Sequence, residues 1–280
     1  MRFGVVNPGL KRSARRTLAF TLIELMVVIA LIIALAAIAL PSFKGLTQSN
    51  ITGGALQQLV DDLTEARLRA INGRGTVYVA FIPPDIARQN WNGLNADQQK
   101  QLLEGVKAQY SGYIMFAKRN LGDQPGAENP RYLSEWRYLP EGIFIATNKL
   151  ASITRSQWEN WPAIGVTNRP FFYMAIPFPT ATNAPVPLPT IAFDYRGRLL
   201  SSPYDSDAPF RKDYEYIQIT QGTLILERDL NGNVVRLPNG TYPVAEVIET
   251  PRGNTTNNPV IAIDPLTGRA SVLPLVGDKP

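Results

Sequence analysis

The chain has no cysteine and no histidine among its 280 residues. Disulfides and thiolate chemistry are therefore excluded. So are histidine-centred triads, histidine metal sites and the commonest general base. An export compartment permits disulfides, but a domain of roughly 200 residues can bury a sufficient core without them. Acidic residues are missing from the first 19 positions, where Arg2, Lys11, Arg12, Arg15 and Arg16 stand. The whole chain carries 28 basic and 23 acidic residues, a formal charge of +5. Without those five basic residues the balance is 23 against 23, formally neutral. The sequence pI of 9.4 therefore gives no ground for nucleic-acid binding.

What is present is an apolar run directly after the basic stretch Lys11-Arg12-Ser13-Ala14-Arg15-Arg16. It begins Phe20-Thr21-Leu22-Ile23-Glu24-Leu25 and continues to Leu40. That length is close to the roughly 20 residues that span a bilayer. A charge at the centre of such a segment costs about 2.5–3.5 kcal/mol, and less near its end. Glu24 is thus a functional candidate whose partner has to be found. Basic residues flanking an apolar helix stay cytoplasmic, so the bulk of the chain is expected outside the inner membrane. A secretory signal peptide is the competing reading, with Ala34-Leu35-Ala36 or Ala37-Ile38-Ala39 as cleavage sites. The length of the run and the interruption at Glu24 argue against it.

The same residues resemble the processing and methylation signature of type IV prepilins and type II secretion pseudopilins. The resemblance implies cleavage between Ala19 and Phe20, N-methylation of Phe20, and an assembly role for Glu24, the fifth residue of the mature chain. Pro41 matches a proline usual in that family. Ala19 replaces the family's glycine before the cut, so slower cleavage is expected. Further on, Leu59 to Ile71 running into Thr76-Val77-Tyr78-Val79 resembles the H-type (GspH/FimT-like) minor pseudopilins. Ile191 to Arg198 and Val260 to Val272 are similar to that family's strand-turn element and closing hairpin. The implied fold is α+β and pilin-like, a long N-terminal helix packed on an antiparallel β-sheet domain. The helix would have a transmembrane half and an amphipathic half.

The implied organisation is a cleaved basic leader at 1–19, a transmembrane helix at 20–40, its amphipathic continuation at 41–72 and a periplasmic β-rich domain at 73–280. The residues themselves support the third part. Leu56, Leu59, Val60, Leu63, Ala66, Ala70 and Ile71 recur at helical spacing, with Asp61, Asp62, Glu65, Arg67 and Arg69 between them. Asn72-Gly73 stops the pattern. Pro41 and Gly53-Gly54 are its weak points.

Beyond Gly73 the segments 76–82, 191–200, 216–227, 234–237 and 260–273 read as strands of one antiparallel sheet. Turns are expected at Gln221-Gly222 and Asn231-Gly232-Asn233. Residues 83–190 form an enlarged insert containing Trp91, Trp136, Trp158 and Trp161. Within it Asn95 and Gln98 cap a short helix, Ala96 to Leu103, ended by Gly105. Pro177, Pro179, Pro185, Pro187 and Pro189 make its exit extended. The aromatic pieces either pack an enlarged sheet or form a binding face for a secreted protein, a sugar or a sister subunit.

Chemistry of other kinds is weakly signalled. Asp229-Leu230-Asn231-Gly232-Asn233 opens like a calcium loop, but the twelfth position is Gly240 and not glutamate. Gly73-Arg74-Gly75 is too short to cradle phosphate. No cofactor, metal or catalytic residue is expected, and the chain reads as a substrate of processing enzymes and not as an enzyme. The favoured function is a minor pseudopilin, a structural subunit of a type II secretion-like pseudopilus assembled from the inner membrane. Its implied partners are the prepilin peptidase/N-methyltransferase, other pseudopilins or pilins, the inner-membrane assembly platform and the lipid bilayer. The alternatives are a minor type IV pilin, priming pili or taking part in DNA uptake, and a membrane-anchored ligand- or carbohydrate-binding protein. A basic patch of Arg196, Arg198, Arg211 and Lys212 would serve nucleic acid, which the neutral mature charge disfavours.

Overall fold

A computed structural model of the chain describes residues 21–119, 122–124, 129–160, 169–200, 213–250 and 258–273, with the backbone alone for 36–50, Arg155 and Glu159. The chain divides into two units, Met1–Ser49 and Asn50–Pro280. Helix α1 (Leu22–Asn72) runs through the boundary between them.

In the first unit the residues from Leu22 to Leu35 are exposed on every side, and Glu24 is their only charge. Among the described residues no helix is long and apolar enough to cross a membrane. This corrects the expected transmembrane half at 20–40.

The second unit begins with the rest of α1. Leu56, Leu59, Leu63, Ala66 and Ala70 of the predicted stripe are buried, Val60 and Ile71 are only partly buried, and Ala55 is buried beside them. Burying each leucine contributes about 1.5–3 kcal/mol. Gly53 and Gly54 do not interrupt the helix. It ends where the Gly73 and Gly75 amides donate to the Arg69 and Ala70 carbonyls, at 2.8 and 3.2 Å.

There follow β1 (Val77–Phe81), α2 (Ala96–Lys107), β2 (Gly112–Ala117), β3 (Arg131–Tyr132), β4 (Arg137–Tyr138), β5 (Ile143–Ile145) and α3 (Arg155–Glu159). Then come β6 (Phe172–Pro177), β7 (Pro185–Phe193), β8 (Glu215–Ile225), β9 (Glu246–Glu249), β10 (Val260–Ile263) and β11 (Ala270–Leu273). One sheet has the order β3-β2-β1-β7-β6, with β4 also on β2. The other has the order β11-β10-β8-β5, with β9 also on β8.

The single sheet of the pilin-like expectation is therefore replaced by two. Segments 76–82 and 191–200 contribute to the first, and 216–227 and 260–273 to the second. Residues 234–237 form no strand, only an isolated bridge from Val234 to Arg228. The region 83–190 is integral to both sheets. It supplies β2, which pairs with β1, and β5, which pairs with β8. The division follows from burial. Val77, Val79 and Phe81 join the α1 stripe and Ile217, Ile219, Ile261 and Ile263 of the second sheet in one core. Tyr78, Ala80 and Ile82 face a second core with Leu102 and Val106 of α2 and Phe178. With both faces covered, β1 and β2 lack the apolar-polar alternation of a half-exposed strand.

Local chemistry explains several other features. Asn95 and Gln98 form the predicted reciprocal capping box of α2. The helix nevertheless continues past Leu103 and through Gly105, because that glycine is buried against Phe178. An added Cβ would lie 2.6 Å from the Phe178 ring. The turn expected at Gln221-Gly222 is absent, since β8 runs straight through it. Gly222 is needed there for close strand approach, and a Cβ would meet the Ile248 carbonyl oxygen at 2.2 Å. In β7 the prolines at 185, 187 and 189 alternate with Val186, Leu188 and Thr190. Proline has no N–H, so the amides available for pairing with β6 are those of the intervening residues.

Candidate functional site

The amino-terminal site is built on the first turn of α1. The Glu24 amide donates to the Thr21 carbonyl at 3.1 Å and to Thr21 Oγ1 at 3.3 Å. Thr21-Leu22-Ile23-Glu24 has capping-box spacing, a signal the sequence reading overlooked. A carboxylate in the first turn is also favoured by the helix dipole. Ala19 and Phe20 lie outside the described residues. Pro41 falls within α1, and its side chain lies outside the described set. The apolar residues around Glu24, Leu22, Ile23, Leu25 and Met26 among them, are exposed.

In the outer domain, charged α1 residues expected on a solvated face are engaged in packing. Arg137 of β4 forms ion pairs with Asp62 and, at 2.8 Å, with Glu65. Arg69 pairs with Glu65 at 2.7 Å and donates to the Leu133 carbonyl at 2.8 Å. Gln58 donates to the Tyr138 carbonyl at 2.9 Å, and the Tyr113 hydroxyl donates to Asp62. These side chains occupy carbonyl groups along 133–138, at the sheet edge, where an unpaired strand would otherwise recruit another chain.

Glu65 gives this network a pH dependence. Burial pulls its carboxyl upward, but the hydrogen bonds and charges of Arg137 and Arg69 outweigh that and hold it below the ordinary value. A carboxyl lowered on folding contributes stability that is present above its unfolded value and lost as pH falls through its folded one. Glu65 is 34% exposed, so screening limits the contribution to about 1 kcal/mol. The urea midpoint should fall between about pH 6 and about pH 3, and fall less in Glu65→Gln. An equal fall in both proteins would remove Glu65 from the account.

A buried ion pair lies deeper. Lys149 and Glu215 are 0% and 3% exposed, with Nζ 2.8 Å from the carboxylate oxygen. Lys149 also donates to the Arg169 carbonyl and lies 4.8 Å from the centre of the Phe171 ring. The Arg169 guanidinium stacks 4.5 Å over Trp158. Of these residues the sequence singled out Trp158 alone. They are separated along the chain, and only the pairing of β5 with β8 and the packing of β6 assemble them.

A cleft of about 880 Å³ lies between α2 and the 132–138 segment. Asp97, Lys100, Gln101 and Glu104 line one side, and Tyr132, Trp136 and Tyr138 the other. Of the four tryptophans of the insert, Trp91 is buried in the second core, Trp158 is buried under Arg169, Trp136 is half-buried at this cleft, and Trp161 lies outside the described residues.

The other sequence candidates resolve into turns. Asp194 accepts the Arg196 and Arg198 amides and pairs with the Arg198 guanidinium at 2.7 Å. Arg198 is thus committed within its own turn, and Arg211 and Lys212 lie outside the described residues. Asp229 accepts the Asn231 and Asn233 amides, which closes the expected reversal and occupies the carboxylate. Asp264 does the same for Leu266 and Thr267 between β10 and β11. Among the described residues there is no group of three or more acidic side chains placed to hold a metal ion. No family model, curated protein or solved structure matches the chain.

Proposed function

We propose that this protein is a minor pseudopilin, a structural subunit of a type II secretion-like pseudopilus assembled from the inner membrane. The observation that carries the reading is the sequence Phe20-Thr21-Leu22-Ile23-Glu24-Leu25 behind a leader with five basic and no acidic residues. Exposure of the apolar residues around Glu24 supports it, because sister subunits would supply their cover. On this reading the leader is cytoplasmic and the outer domain works in the periplasm. The prepilin peptidase removes residues 1–19 and its methyltransferase activity modifies the Phe20 amine. The inner-membrane assembly platform then adds the subunit to other pseudopilins. The chain itself performs no catalysis.

Mass spectrometry of the mature amino terminus, after co-expression with a prepilin peptidase, tests this. The expected terminus is Phe20 carrying one methyl group. A terminus after Ala36 or Ala39 would establish an ordinary signal peptide, and an intact leader would exclude the processing enzyme as a partner.

A further inference from the structure

The cleft between α2 and the 132–138 segment has a lining that selects for charge. Asp97, Lys100 and Glu104 fall on one stripe of α2, three and four residues apart, while Leu102 and Val106 turn into the core. Glu135 stands on the opposite side, so three carboxylates face one ammonium. Asp97, Glu104 and Glu135 are exposed and remain hydrated. Glu104 is held at 2.9 Å by Lys107, in a surface pair that is weak and readily exchanged.

The aromatic side of the cleft is braced from behind. Trp136 makes edge contacts with Tyr132 and Phe178 at ring separations of 5.9 and 5.5 Å. The Tyr132 hydroxyl donates to the Pro177 carbonyl at 2.5 Å. Tyr138 is 41% exposed. Burial, and then the charge of Glu104, push its hydroxyl above the usual tyrosine range, which brings carboxylate and ring into one electrostatic site. A cation set against an aromatic face beside a carboxylate gains from both.

We propose that this cleft binds an extended polypeptide segment of a partner protein that carries arginine or lysine. The charge balance favours a cationic occupant over an acidic one. The volume of about 880 Å³ accommodates several residues of a peptide and not just one side chain. Strand addition to the adjoining edge is opposed by Arg69 and Gln58, which hold the Leu133 and Tyr138 carbonyls, so recognition runs through side chains. A neutral saccharide would stack on the rings, but it would leave the cleft lining's excess of negative charge unanswered.

The test is calorimetric titration of the full chain in detergent with an Arg-Gly repeat pentapeptide, its Glu-Gly counterpart and maltohexaose. The arginine peptide should bind and the other two should not. Its affinity should fall steeply as salt rises from about 0.05 to about 0.5 M, because exposed charges are screened. Asp97→Asn/Glu104→Gln/Glu135→Gln should weaken it at least about tenfold, the loss expected from removing charge partners. Lys100→Glu should tighten it, a gain that misfolding cannot produce. Absence of arginine-peptide binding at millimolar concentration, affinity unchanged in both variants, or preference for maltohexaose would overturn the proposal. Processing at Phe20 is not involved, so this result and the terminus measurement can fail separately.

Discussion

Replacing Lys149 with methionine should destabilise the outer domain by about 3–5 kcal/mol, the usual cost of removing one partner from a buried ion pair. That is a large share of the roughly 5–15 kcal/mol that holds a domain together. Lys149 is 0% exposed and its partner Glu215 is 3% exposed. Without the ammonium, the buried Glu215 carboxylate loses a charge partner that offsets its desolvation. Lys149 also donates to the Arg169 carbonyl, so its loss removes a donor from a second buried acceptor, three residues before β6. The double variant Lys149→Met/Glu215→Leu should recover most of the loss, since an apolar pair of similar volume often replaces a buried ion pair without penalty. Urea unfolding followed by tryptophan fluorescence measures both. A single-variant loss below about 1 kcal/mol would show that the pair is solvated and not buried.

Glu24→Leu should leave leader cleavage intact and prevent the subunit from joining filaments. The prediction rests on the pseudopilin reading. Processing would create an amine on Phe20, with a reference pKa near about 7.7–8.0. In a filament of staggered helices, Glu24 of one subunit meets the Phe20 amine of its neighbour. An unpaired charge in such a bundle costs several kcal/mol, and pairing offsets much of it, so the pair favours docking and sets axial register. The competing role is local, because Glu24 occupies the third position of the turn that Thr21 begins. Glu24→Gln separates the two. It keeps an amide suited to the cap and loses the charge, so pairing requires it to fail as Glu24→Leu does. Co-purification with filaments, alongside the mass of the mature terminus, reads the outcome. Wild-type levels of either variant in filaments would make the pairing mechanism wrong for this protein.

Local signals in the sequence proved dependable where one element was enough to express them. Leu56, Leu59, Leu63, Ala66 and Ala70 of the stripe are buried and Val60 and Ile71 partly so, because residues three and four apart share a helix face whatever they pack against. Asn95 and Gln98 form their box for the same reason, within a single turn. The closing hairpin forms around Asp264 and Gly268, whose φ of +65° suits glycine. A turn element failed where a distant strand overruled it. Gln221-Gly222 has turn composition, but β9 lies close enough that the glycine serves strand approach. Gly105 likewise does not end α2, because Phe178 covers it.

The candidate sites divide in the same way. The sequence by itself determined the basic stretch free of acids at 1–19, the apolar run behind it and the isolated charge at Glu24, because each is a matter of residue order and spacing. It also determined that histidine and thiolate chemistry are excluded. Tertiary structure alone decided that the strands form two sheets, that β1 is covered on both faces, and that α1 carboxylates reach Arg137. It alone joined Lys149 to Glu215 across 66 residues and set the α2 carboxylates opposite Trp136. Apolar strands pair equally well on paper with many partners, since their backbone groups are alike. The choice is made by how helices and sheets together fill the core, and short-range patterning carries no record of it.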